Sequence, residues 1–255
     1  MKTSHYIALV IFIITGIWLW YYPDNQQELR APKNILRVGT NAEYPPFSFK
    51  DGNKIVGLDI DVVKEIAKRI GKVTAFANMD FDMLIPQLQF GTIDIIAAGL
   101  SETPERANQL AFTTPHLRDD PFLIITLADK PPIISMHQLV GKKVIVNQGF
   151  TAELYMQQIP GPILLALPTV ADAFIALQQG KGYAFVTAAS AVGPFFDKYG
   201  QEKFKVSRIP GPKEDYSLAV SKKNSELFEQ VQQALISMER DGTLTKIRQK
   251  WGIML

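Results

Sequence analysis

Cysteine is absent from the 255-residue chain. Disulfides, thiolate metal sites and a lipid-modified N-terminal cysteine are therefore excluded. Histidine is scarce, three residues in all, and His116 and His137 lie too far apart to suggest a metal-ligand cluster. Neither sign of charge dominates: 27 Lys and Arg against 25 Asp and Glu leave a net charge of +2. With no run of lysine or arginine either, a nucleic-acid surface is not expected. The phosphate-binding spacings GxxxxGK(S/T) and GxGxxG are missing, as is the nucleophile elbow GxSxG. No acidic residue occurs between Asp172 and Asp197.

What is there is ample apolar material. A hydrophobic content of 47% lets a chain of this length bury a large core, as one big domain or as two lobes. The longest apolar run is Tyr6 to Tyr22, behind the single lysine Lys2. It ends in Trp18, Leu19, Trp20, Tyr21 and Tyr22, amphipathic rings that suit a headgroup boundary, where a cleaved signal prefers small residues. An uncleaved N-terminal anchor over residues 1–23, followed by a polar tether over 24–33, is favoured over a cleaved signal.

From residue 34 the pattern alternates strand and helix. Strands are expected at 35–40, 73–77 and 93–98, with helices opening near Asp59, over 60–70, and at 82–90. A loop rich in proline spans 41–47. A connecting strand is expected at 121–126. A second series follows: strands at 143–147, 163–167 and 183–187, and helices at 152–158 and 171–179. A strand at 216–220 and two helices with apolar positions at helical spacing close the chain. Ile-Pro-Gly-Pro occurs twice, at 159–162 and 209–212, and is read as a turn; two copies do not make a repeat. Such alternation predicts doubly wound α/β units.

The chemistry concentrates at 93–106. A β-branched apolar run gives way to Ala98 and Gly99, small enough for close approach to the backbone, and then to the hydroxyl of Ser101. Thr103 has the character of an N-cap, Pro104 suits the first helical position, and Glu105 suits the first turn. Arg106 follows one turn past the strand end, where a guanidinium fork can meet an anion. Open α/β sheets bind ligands at the C-terminal ends of their strands, so the stretch describes a carboxylate-binding corner. The plainer alternative pairs Arg106 with Glu102 or Glu105 on a solvated surface.

This stretch resembles the corresponding motif of the polar amino-acid-binding proteins of bacterial ABC importers, an extracytoplasmic solute-binding family that includes arginine, histidine and glutamine receptors. The resemblance extends to Asn41, Glu43, Tyr44, Pro45, Pro46 and Phe47; to Val56 through Asp61; to Phe81 through Pro86; to Gly141 through Val144; and to Asn147, Gln148 and Gly149. It runs from about Asn34 to the C-terminus.

The resemblance implies a two-lobed, type II periplasmic-binding-protein fold. Each lobe would be a doubly wound sheet flanked by helices, with two crossings as the hinge: residues 34–120 and 216–255 in one lobe, 121–215 in the other. It implies a monomer without cofactor, metal or catalytic residues that closes on a polar amino acid and delivers it to an ABC permease in the inner membrane. The protein is then expected in the periplasm, tethered by the N-terminal segment or released after cleavage. The implied ligand-binding residues are Asn41, Tyr44, Phe47, Phe81, Ala98, Gly99, Ser101, Arg106 and Thr151. In the similar receptors the positions of Tyr44 and Phe81 flank the ligand side chain, where cation–π attraction contributes roughly 0.5–2 kcal/mol. Read from the residues alone, Phe47 and Phe81 serve equally as core, and Thr151 as an N-cap.

Two positions depart from the family pattern. Asn41 stands where basic amino-acid receptors often carry a carboxylate. Ala188 stands where an acidic residue holds the ligand's α-ammonium, leaving Thr187, Ser190 or Glu153 to compensate. An enzyme on the same fold, resembling cyclohexadienyl dehydratases or murein lyases, is the alternative, with Glu43, Glu153 and His116 as candidate acids or bases. A sensor input domain is a third reading.

Overall fold

The computed structural model describes residues 34–253; the expected anchor and tether lie outside the described residues. From Leu36 onward the chain is one compact unit.

Strand β1 (Ile35–Thr40) opens the fold. Strands β2 (Glu43–Tyr44), β3 (Ser48–Asp51) and β4 (Lys54–Val56) then form a small antiparallel sheet. The loop expected at 41–47 therefore holds a short strand, because Glu43 and Tyr44 pair with Phe49 and Ser48. Helix α1 (Leu58–Arg69) follows, with Asp59 and Asp61 in its first turn and Lys68 and Arg69 in its last, all complementing the helix dipole.

After β5 (Val73–Asn78), a 3-10 turn at Phe81–Met83 leads into α2 (Leu84–Phe90). The tighter turn ahead of Leu84 has a cause in Pro86, which has no N–H to give Asp82. Strand β6 (Ile95–Ile96) is shorter than expected, although bonds from Asp94 N to Arg37 O and from Ala97 N to Gly39 O extend its contact with β1. Helix α3 (Pro104–Gln109) begins at the expected cap, with Thr103 Oγ1 accepting from Arg106 N at 3.2 Å. Strand β7 (Leu110–Phe112) completes this part of the chain.

Strand β8 (Leu117–Leu127) starts four residues before the expected crossing and is eleven residues long. The second series is β9 (Lys143–Asn147), α4 (Thr151–Gln157), β10 (Ile163–Leu167), α5 (Val170–Gln178), β11 (Ala184–Ala188) and α6 (Gly193–Tyr199). Strand β12 (Phe204–Tyr216) pairs antiparallel with β8 along its length. Residues 209–212 are thus not a turn between elements. They lie inside β12, where the register shifts between Arg208 and Lys213 to accommodate two prolines without ladder donors. Strand β13 (Ala219–Ser221), α7 (Ser225–Arg240) and α8 (Thr243–Lys250) close the fold.

Two five-stranded sheets result, in the orders β5-β1-β6-β13-β7 and β10-β9-β11-β8-β12. In the first, β1 and β6 are parallel while β13 runs antiparallel to β6 and β7. One of its cores joins Val62, Val63 and Ile66 of α1 to Leu227, Val231 and Leu235 of α7. Another joins Leu84 and Leu88 of α2 to Ile96 and Leu110. The core of the second sheet centres on Phe174 of α5, whose ring stacks 4.9 Å from that of Phe195 and meets Phe185 edge-on.

Strand β8 carries the chain from the first sheet into the second and β12 brings it back. At the return, Ser217 N donates to Leu100 O at 2.9 Å and Tyr216 bridges Ser101. This juncture brings the end of β12 beside the end of β6.

Candidate functional site

The site lies where the loop after β6, the loop after β9 and the end of β12 meet. Gly99 sits at φ 60°, and a Cβ there would fall 2.6 Å from the Tyr44 ring. Only glycine fits both conditions. Its N–H donates to Asp59 Oδ2 at 2.7 Å, and Asp59 Oδ1 lies 2.7 Å from His116 Nε2. Asp59 and His116 are both fully buried, so this pair braces the Gly99 turn from below. Ala98, also buried, packs into the core beside α2.

Arg106 is buried. Its Nη1 donates to Ser101 O at 2.9 Å and its Nη2 to Gly149 O at 2.6 Å, and its guanidinium stands 5.5 Å from the Phe81 ring. Among the described residues no carboxylate lies within ion-pair distance of it. Burial lowers its pKa from the ordinary arginine value, with Glu214 and Glu105 opposing the shift. The surface-pair alternative with Glu102 or Glu105 does not describe this side chain.

The aromatic positions converge, with a difference. Tyr44 stacks on Phe47 at 5.0 Å, and Phe47, fully buried, packs 4.2 Å from the Tyr216 ring. Phe81 and Tyr44 both meet a third ring, that of Phe150, at 5.0 and 4.9 Å. Phe150 thus contacts both of the rings that the resemblance sets on either side of a ligand. Its signal was visible, a large aromatic directly after Gly149 in a strand-to-helix loop, but sequence reasoning passed over it. Thr151 is the first residue of α4 and Phe150 its cap, so Thr151 is not the N-cap. Asn41 Nδ2 donates to Met79 O at 3.1 Å, which ties it to the neighbouring loop.

Two carboxylates that sequence reasoning also missed come together here. Glu214 of β12 pairs across the ladder with Asp120 of β8. The Tyr216 hydroxyl lies 2.6 Å from Glu214 Oε2 and 3.0 Å from Asp120 Oδ2. One phenolic proton cannot serve both acceptors, and the Asp120 charge disfavours ionisation of Glu214. Burial raises both pKa values, that of Glu214 to about 7. Asp120 is further held by Ser190 N and Ser190 Oγ. Ser101 Oγ donates to Glu214 Oε1 at 3.3 Å. No linear spacing announces this cluster, since it forms only when β8 and β12 pair.

Of the other candidates, Glu43 is exposed, and Glu153 Oε2 accepts from Gly149 N at 2.7 Å within its own loop. Ala188 is buried at the end of β11, opposite Phe122. Among the described residues no group of three or more acidic or histidine side chains could hold a metal ion.

A cavity of about 820 Å³ opens beside this corner. It is lined by Ser101, Thr103, Thr151, Tyr155, Glu214 and Ser217, among others. A second cavity, about 900 Å³, is lined by Pro46, Asp120, Ser190 and Trp251 and includes neither Ser101 nor Thr151.

Two sheets joined by two long crossing strands, with polar groups gathered between strand ends, define the two-lobed type II periplasmic-binding-protein fold. The chain belongs to the bacterial extracellular solute-binding proteins, family 3, which it matches over residues 36–254. It is 31% identical over 221 residues to the ABC transporter arginine-binding protein 1 of Escherichia coli K12, covering 85% of this chain and 90% of that protein. It is 30% identical over 239 residues to the histidine-binding periplasmic protein of the same strain, covering 86% and 88%. An ancestral arginine-binding protein solved bound to glutamine superposes with a TM-score of 0.81 at 38% identity, covering 87% of this chain and 99% of that one.

Proposed function

We propose that the protein is the extracytoplasmic substrate-binding component of an ABC importer for a polar amino acid, arginine-like or another basic or amide one. The observation that carries this reading is Arg106, a buried guanidinium without an anionic partner among the described residues. A buried cation held only by carbonyls is a ready receiver for a carboxylate, and a bidentate charge-assisted contact contributes on the order of 1.5–3 kcal/mol. Ser101 and Thr151, both lining the cavity, supply further polar contacts. Tyr44, Phe47 and Phe81 form the aromatic side of the site, and Ala98 and Gly99 keep the backbone close. Asn41 orients the loop that carries Tyr44.

On this reading residues 34–120 with 216–255 form one lobe and 121–215 the other, closing about β8 and β12 as hinge-bending receptors do. A permease in the inner membrane receives the ligand, and the N-terminal segment tethers the receptor there. The apolar run from Tyr6 to Tyr22, with its terminal aromatic cluster, supports assigning the tether to residues 1–23. The intact mass of protein extracted from membranes tests it: loss of the first residues counts against the tether.

The function is tested by calorimetric titration against the standard amino acids. Saturable binding at micromolar or better, with a basic or amide side chain preferred, is expected. Silence across the panel from a folded sample overturns the proposal.

A further inference from the structure

The cavity beside Ser101 has one buried carboxylate with no cation to match it. Four acidic residues line that cavity, and three are otherwise accounted for. Glu102 and Glu105 are exposed, and Asp215 lies 2.9 Å from Asp119 N and 3.5 Å from Arg118 Nη1. Glu214 differs: it is buried, and among the described residues no lysine, arginine or histidine lies within ion-pair distance of it. Lys213, next to it, is engaged by Asp119 at 2.8 Å. Arg106, the compensating charge within electrostatic range, has both terminal nitrogens committed to carbonyl oxygens.

The two members of the carboxylate pair are not equivalent. Asp120 accepts from Ser190 N and Ser190 Oγ, and lines the other cavity. Glu214 Oε2 takes the closer Tyr216 contact at 2.6 Å, while its Oε1 has a single 3.3 Å contact, to Ser101 Oγ, so acceptor capacity remains on Oε1. A second, independent observation lies beside it. Ser217 Oγ is buried, has no hydrogen-bond partner, and belongs to a residue lining the same cavity as Glu214. An unpartnered hydroxyl and a carboxyl lining one cavity provide acceptors for a group that donates in several directions and carries positive charge.

Ser101 links this acidic corner to the basic one, since its carbonyl accepts from Arg106 and its hydroxyl donates to Glu214. A buried guanidinium and a buried carboxyl, within electrostatic range of each other but without an ion-pair contact, therefore flank one residue. A ligand carrying a cationic and an anionic group on one carbon satisfies both at once. We infer that Glu214, with the Ser217 hydroxyl beside it, receives the α-ammonium of the bound amino acid, while Arg106 receives its carboxylate. This rests on the amino-acid reading given above and adds which residues recognise the ammonium. Glu214 comes from the returning crossing strand, so the group that reads the ligand also sits on the hinge.

The test is titration of the wild-type protein, Glu214→Gln and Ser217→Ala with L-arginine and L-glutamine and with the des-amino analogue of each. The analogues keep the side chain and carboxylate but carry hydrogen in place of the ammonium. Glu214→Gln is expected to weaken the preferred amino acid by ~30-fold or more, the scale for removing one partner of a desolvated charge pair. The same variant should leave the des-amino analogue within about threefold, because an isosteric amide disturbs the Arg106 contact little. Ser217→Ala should show the same selectivity at smaller size, with melting curves confirming that both variants are folded.

Unchanged amino-acid affinity in Glu214→Gln overturns the inference, as does an equal loss for amino acid and analogue, which would make Glu214 merely structural. In both cases the receptor reading survives. A wild-type protein that binds neither amino acid, nor any other of the standard set, removes the receptor reading and this inference with it.

Discussion

Arg106 Nη2 donates to the carbonyl oxygen of Gly149 across 2.6 Å, joining α3 beside the first sheet to the loop after β9 in the second. The same guanidinium holds Ser101 O through its other terminal nitrogen. Two of its five N–H donors are thus taken by backbone oxygens beside the two sheets, which leaves three for a ligand carboxylate. A carboxylate bound there shares one side chain with the contact between the sheets, so binding and that contact are coupled.

Replacement of Arg106 is therefore expected to be costly for binding. Arg106→Ala should weaken the preferred amino acid by more than ~1.5 kcal/mol, about tenfold, through loss of a charge-assisted contact. Arg106→Lys should restore little of it, because a point-charge ammonium does not reproduce a planar fork. Titration of both variants decides the matter, and full affinity in Arg106→Ala removes this side chain from the site.

Phe150 leads to a second expectation. Its ring stands 4.9 Å from Tyr44 and 5.0 Å from Phe81. A long cationic side chain bound between those two rings has to displace it, and the lost ring contacts, each contributing ~0.5–1.5 kcal/mol, count against affinity. Phe150→Ser should accordingly raise affinity for L-arginine several-fold while altering that for small aliphatic amino acids little. A drop for every ligand would instead make Phe150 part of the binding surface.

How much of this could be read from the chain depends on where the interactions lie. Strands at 35–40, 143–147 and 163–167 were legible because short, largely apolar runs bounded by turn residues have few alternatives. The cap at Thr103 and the first-turn Pro104 were legible from equally local signals. Strand β6 shrank to two residues because its length is set by neighbours rather than by its own composition. The prolines at 210 and 212 argued for a turn, and only the pairing of β12 with β8 makes them an irregularity within a strand. The pairing of Glu214 with Asp120 was invisible for the same cause: 94 positions separate them, and each alone looks like a solvated acid beside another acid.

Gly99 carries a prediction about stability. Its φ of 60° is strained for any L side chain, and a Cβ there would fall 2.6 Å from the Tyr44 ring and 3.2 Å from that of Phe47. Both rings belong to buried residues and cannot simply rotate away. Gly99→Ala should therefore destabilise the protein by ~1–3 kcal/mol, the cost of backbone strain together with overpacking. Chemical denaturation measures this, and a variant of unchanged stability would mean that the turn relaxes. Ligand affinity should fall as well, since Ser101 and Arg106 are positioned by the same turn.

The Glu214 carboxyl gives stability a defined dependence on pH. Burial holds its folded-state pKa at about 7, above the ordinary 4.5, and Asp120, also raised by burial, pushes it further in that direction. Facing it are Asp120 from β8, Tyr44 from β2, Arg106 from α3 and Tyr216 on its own strand. Between these two pKa values the folded state keeps a proton that the unfolded chain has released. The stabilising contribution is therefore complete below pH 4.5, declines as pH rises towards 7, and is gone above it. Its size is at most ~3 kcal/mol, from the shift multiplied by 1.36 kcal/mol per unit. Melting temperatures of the ligand-free protein should fall between about pH 5 and pH 8. In Glu214→Gln, which cannot ionise, the fall should be smaller and the melting temperature at the higher pH should exceed that of the wild type. A variant that is more stable yet binds its amino acid more weakly would identify a carboxylate retained for recognition at the expense of stability. Parallel curves for the two proteins would assign the titration to another group.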